Sequence, residues 1–188
     1  MKILFLFTLL DIFGLISSPA WDANAKFSQN DLYILREKSI LRGHYKDVAS
    51  ESNGALLSSA RRNSFYRPNI DNSPLRNSLY FSDIDATAHT FIGLHESIII
   101  EFLQVYEINT IRFWMLDHDI RRVANMQIFV IGVNRTTESL IYEGDVQPAV
   151  HSLKFPDQLV SKVKFYNKDG NVIDIYMSII KIQAYYSF

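Results

Sequence analysis

From residue 90 onward the apolar and polar positions fall into short runs of strand type: SIIIEFLQ (97–104), NTIRFWML (109–116), NMQIFVIGV (125–133), ESLIYEG (138–144), VHSLKF (150–155), KVKFYN (162–167) and VIDIYMSIIKIQAYY (172–186). They are rich in Ile, Val, Phe and Tyr, side chains that suit a pleated, half-buried surface. KVKFYN and IKIQAYY alternate strictly, which predicts one buried and one solvated face. Turn-prone pieces such as GVNRTT, EGDVQP and NKDGN separate the runs, and no helical period intervenes. The pattern predicts an antiparallel sandwich or barrel. Within NKDGN, Asp169-Gly170 predicts a hairpin joining a strand that ends near Tyr166 to one that begins near Val172.

Before residue 90 the texture differs. DLYILREKSILRGHY (31–45) has helical spacing at Leu32, Leu35, Ile40 and Leu41, whereas 53–85 is dense in Asn, Ser, Pro and Arg without a sustained period and reads as loops. The N-terminus, MKILFLFTLLDIFGLISSPAWDANA, has a basic start, an apolar run from Ile3 to Leu10, and cleavage options after Ala20 or Ala25. This is the pattern of a secretory signal peptide. Asp11 interrupts the run, and the alternative is a retained amphipathic helix with Leu6, Leu9, Leu10 and Phe13 on one face. The expected organisation is therefore a signal peptide or apolar helix over 1–25, a lead-in over 26–49, and a β-domain over 50–188. The first segment favours the secretory route over the cytoplasm. On that route the sequon Asn134-Arg135-Thr136 marks Asn134 for glycosylation.

Composition narrows the function classes. At 188 residues, with 48% apolar side chains, 13 Phe and 10 Tyr, one domain with a substantial core is expected. The formal charge of −1 gives no global field for nucleic acid, and binding to an anionic membrane would need a local patch. With no cysteine there is no disulfide, thiol nucleophile or Cys-ligated zinc.

The most chemical passage is LDHDIRR (116–122). Asp117 and Asp119 could offer oxygens to a cation, but Arg121 and Arg122 oppose one, and an acid/base pair would need a cleft that nothing else marks. The favoured reading is structural: the two aspartates accept hydrogen bonds from loop amides and from an arginine fork, pinning a corner after a strand. His44, His89, His95 and His151 form no ligand spacing, and GxSxG, P-loop and GxGxxG motifs are absent. The candidate contact patch is RRNSFYRP with Arg76. Arg61, Arg62, Arg67 and Arg76 suit anionic groups, and Phe65 and Tyr66 suit a sugar ring or an apolar partner.

Taken together, FIGLHESIIIEFLQVYEINTIRFWMLDHDIRRVANMQIFV (91–130) and the closing NVIDIYMSIIKIQAYY resemble the discoidin family, also called the coagulation factor V/VIII type C domain. The version nearest in pattern is the one at the C-terminal end of BTB-domain adaptor proteins. Ile98–Phe102 and Ile111–Asp117 match its two strands, and Asp117, Asp119 and Arg121 its Asp-x-Asp-x-Arg corner. Trp114 and Gln183-Ala184 depart from its pattern. The resemblance covers about residues 50 to 188. It implies an all-β fold, a galactose-binding-like jelly-roll β-sandwich of antiparallel strands, preceded here by a short segment of helical spacing. It also implies a non-catalytic module that binds a protein or glycan partner through loops at one end, without a cofactor. The alternatives are a peripheral binder of anionic phospholipid headgroups and, third, a carboxylate-dependent hydrolase.

Overall fold

A computed structural model describes residues 47–59, 62–64, 75 and 89–187. The expectations for 1–25 and for most of the 26–49 lead-in lie outside them. Eight strands follow one another: β1 (Leu56–Leu57), β2 (Arg62–Ser64), β3 (His89–Ile92), β4 (Ser97–Met115), β5 (Ala124–Ile131), β6 (Glu138–Val146), β7 (Val150–Asn171) and β8 (Met177–Tyr185). All pair antiparallel, in the order β2-β3-β8-β4-β7-β5-β6, with β1 against β4. The described residues form mostly a curled antiparallel sheet, the all-β class that the pattern predicts.

The runs expected over 97–104 and 109–116 are one 19-residue strand, β4, and those over 150–155 and 162–167 are parts of the 22-residue β7. A straight strand as long as β4 would span about 60 Å. Yet both its ends reach the same stretch of chain. Ser97 pairs with Tyr166, whose neighbour Asn167 bonds Ile175, while Met115 pairs with Ile179. The β4/β7 ribbon is therefore folded double. Its bend lies where the register shifts, between Glu101 and Tyr106 and between Ile108 and Thr110, with Pro156 on the partner strand. Shifts of this kind bend strands, and proline, lacking a donor, is tolerated where the ladder is already broken.

Folding the ribbon lays its two halves face to face. Ile98, Ile100 and Phe102 from the first half of β4 and Ile111, Phe113 and Met115 from the second are all buried in one core. Phe113 meets Phe165 edge to face across it, ring centres 5.2 Å apart. Val48 and Ala49, assigned to the lead-in by sequence, are part of that core, and Asp47 Oδ1 accepts the amides of Ala49 and Ala184, each at 3.0 Å. The domain thus begins no later than Asp47.

The expected Asp169-Gly170 hairpin does not form. β7 continues to Asn171, and the chain then crosses to β8 on the far side of β4. Gly170 is required for another reason. Its φ is +72°, and a Cβ there would lie 2.9 Å from both the Asp174 carbonyl oxygen and the Ile175 Cα.

Candidate binding rim

Where the ends of the folded ribbon meet, the connections 93–96, 116–123, 147–149 and 171–176 come together. Asn167, fully buried on β7, holds two of them. Its Nδ2 donates to the carbonyls of Ile92 (3.3 Å), Gly93 (2.9 Å) and Ile175 (2.9 Å), and its Oδ1 accepts the Gly170 amide at 2.8 Å. A buried amide with both ends satisfied fixes backbone position far more firmly than apolar packing does.

The 171–176 connection is built from its own polar groups. Asn171 Oδ1 accepts the amides of Ile173 (2.8 Å) and Asp174 (3.1 Å), and its Nδ2 donates to Asp174 Oδ1 at 2.7 Å. Asp174 Oδ1 also accepts the Tyr176 amide at 2.8 Å, and its Oδ2 accepts Arg122 Nη1 at 2.8 Å. Burial pushes the Asp174 carboxyl up, but the Tyr176 amide, the Arg122 guanidinium and the Asn171 amide outweigh it, and its pKa lies below the ordinary value.

With these polar groups turned inward, the aliphatic ones face solvent. Val172, Ile173 and Ile175 are 81%, 43% and 55% exposed. On the adjoining connections Leu94 and Ile120 are exposed as well, Ile120 to 81%. Single exposed aliphatics are common, but a group of them on loops held this tightly is a candidate contact surface. The strand pattern does not show it, since VIDIY reads as the start of the last strand. The available signal was Asn171 and Asp174, turn-forming side chains flanking the apolar pair.

The expected corner is partly assembled. Asp119 Oδ1 accepts the Arg121 amide (3.0 Å) and Nε (3.1 Å), and Oδ2 accepts Nη2 at 2.9 Å. The Arg121 fork, then its amide, bring the Asp119 carboxyl down to about 2. Asp117 does not share in this network. The strand ends at Met115, Leu116 makes the last ladder bond to Ser178, and Asp117 turns out to solvent with no hydrogen bond or ion pair among the described residues. The link from this loop to another is instead Arg122 to Asp174, a pair the sequence reading did not single out.

Of the expected contact patch, Arg61, Phe65, Tyr66, Arg67 and Arg76 lie outside the described residues. Arg62 is described: on β2 and exposed, it pairs with Phe91 and places its guanidinium 5.8 Å from the centre of the Tyr176 ring, which packs edge-on against Phe91 at 5.4 Å. It therefore flanks the rim. Asn134 lies elsewhere, on the exposed β5–β6 connection, where its side chain bonds Thr136 and Thr137. Ser161 ties that connection to the ribbon's bend through the Gly132 carbonyl at 2.7 Å. Among the described residues no group of three or more His, Asp or Glu side chains is placed to hold a metal ion.

No family model matches the chain, and no curated protein does. Solved structures do. SpGH29 aligns over 85% of this chain and 32% of its own at 13% identity, with a TM-score of 0.58. A GH29 fucosidase of Ruminococcus gnavus, solved with fucose, aligns over 86% and 31% at 14% identity, with a TM-score of 0.53. CpGH89CBM32-5 from Clostridium perfringens, solved with GalNAc-β-1,3-galactose, aligns over 77% and 97% at 17% identity, with a TM-score of 0.49. The likeness is one of fold. The chain spans about a third of the length of the first two proteins and nearly all of the third.

Proposed function

We propose that this chain is a non-catalytic binding module and that its partner, a protein, docks on the rim formed by 93–96, 116–123 and 171–176. The observation that carries the reading is the 171–176 loop, whose polar groups are satisfied internally while Val172, Ile173 and Ile175 face outward. A loop held in one conformation loses little entropy on binding, and exposed aliphatics gain by leaving water. The aspartates that prompted the hydrolase reading give it no support: Asp119 is held ionised by Arg121, and Asp117 stands alone at the surface. The sequence resemblance to the domain of BTB-linked adaptors accords with a protein partner.

A second reading, a glycan ligand, draws on Arg62, Tyr176 and Phe91, which set a cation and two rings beside the rim. A sugar ring would stack on an aromatic face and take hydrogen bonds from the guanidinium. On the secretory route Asn134, beside the ribbon's bend, would carry a glycan clear of the rim.

The two readings separate experimentally. With the wild type and the Ile173→Asp/Ile175→Asp variant as baits against extract from the native source, the protein reading expects a species retained by the first and lost by the second. A glycan array expects signal that Tyr176→Ala abolishes if the ligand is a saccharide. Equal retention by both baits with a silent array contradicts the proposal.

A further inference from the structure

The balance of charge around the exposed aliphatics narrows the partner, given that the rim binds protein. Among the described residues, each basic group of this end already has a neighbour that engages it. Arg121 is held by Asp119, Arg122 by Asp174, and Lys168 by Glu143 at 2.6 Å, while Arg62 lies over the Tyr176 ring. Two carboxylates have no direct partner, although the Lys168 charge, itself held by Glu143, is also felt by Asp169. Asp117, on the connection that carries Ile120, and Asp169, beside the Gly170 that packs under Ile175, are exposed and have no hydrogen bond or ion pair among the described residues. Among the described residues the balance of charge beside Ile120, Val172, Ile173 and Ile175 is therefore negative: Asp117, Asp119, Asp169 and Asp174 stand against Arg62, Arg121 and Arg122.

We propose that the rim receives a basic, aliphatic-rich segment of a partner protein. Lysine and arginine suit such a surface, because their stems can lie along the aliphatic side chains while their heads reach Asp117 and Asp169 at the margin. An anionic bilayer or an acidic saccharide meets the opposite: its charges approach exposed carboxylates, and of the described arginines Arg121 and Arg122 already hold carboxylates, leaving Arg62 over the Tyr176 ring. The opposing charge also steers encounter, so the association rate should fall as salt rises.

The test uses the whole chain and two synthetic peptides with identical Leu and Ile positions, one carrying Lys and the other Glu at the remaining sites. Fluorescence anisotropy is expected to show the Lys peptide binding at least about tenfold tighter than the Glu peptide, a difference that shrinks in high salt. Asp117→Lys/Asp169→Lys should reverse the preference, and Ile173→Asp/Ile175→Asp should remove binding of either peptide. All four positions are exposed, and thermal melting confirms that each variant folds. Equal binding of the two peptides, both lost in the isoleucine variant, overturns the charge proposal and leaves the rim as a binding surface. Absence of binding, or binding that survives the isoleucine variant, overturns both. Sedimentation with vesicles containing phosphatidylserine in preference to neutral vesicles overturns the proposal in favour of a membrane.

Discussion

Asn167 and Gly170 carry more of this structure than any charged residue that draws the eye in the sequence. Asn167→Ala removes the donor shared by the Ile92, Gly93 and Ile175 carbonyls and the acceptor of the Gly170 amide, and is expected to lower the free energy of unfolding by about 2–3 kcal/mol in urea titrations. Gly170→Ala places a methyl against backbone in a left-handed conformation and should cost about 1–3 kcal/mol. Asp117→Ala, by contrast, should stay within about 0.5 kcal/mol of wild type, because its side chain is exposed and makes no hydrogen bond or ion pair among the described residues. Asp174 sets a pH dependence. Its folded pKa lies below the ordinary carboxylate value, so the unfolded chain binds the proton more tightly and acidification favours unfolding. The contribution is present above about pH 4 and fades as pH falls through the folded value. Asp174→Asn should therefore flatten the acid limb of stability against pH; an unchanged limb would show that Arg122 and the Tyr176 amide do not hold the charge.

At the scale of elements, the strand content was legible because alternation and β-branched composition are local signals. The bend of the ribbon was not. The stretch 105–108 reads as a gap between two strands, and nothing in its composition says that backbone pairing resumes around a bulge and carries the same strand into the opposite leaf. The same locality explains the Asp169-Gly170 error: the pair has hairpin chemistry, but the next strand joins β3 and β4 instead of its predecessor. In 171–176 apolar character reads as strand, whereas Asn171 and Asp174 form a turn there and Val172, Ile173 and Ile175 face water. Val172→Ser/Ile173→Ser/Ile175→Ser is expected to leave stability within about 1 kcal/mol of wild type. A large loss would mean that these aliphatics pack within the fold and are not free for a partner.

For the whole molecule, the likeness to parts of the larger SpGH29 and fucosidase chains is one of fold alone. The likeness concerns backbone arrangement, whereas the choice of partner rests on side chains, and at this end those are aliphatic and acidic. The outer face of the β4, β7, β5 and β6 region offers a contrast within the same domain. There Lys162, Lys164 and Lys168 pair with Glu101, Glu138 and Glu143, a solvated ladder that needs no partner. The most direct measurement is site-specific photocrosslinking in the native source, with the photoreactive residue placed at Ile173 on the rim or at Leu140 on β6. The rim assignment predicts a discrete adduct from position 173 that disappears when Ile175 becomes Asp, and none from position 140. An adduct from position 140 with none from 173 would contradict it.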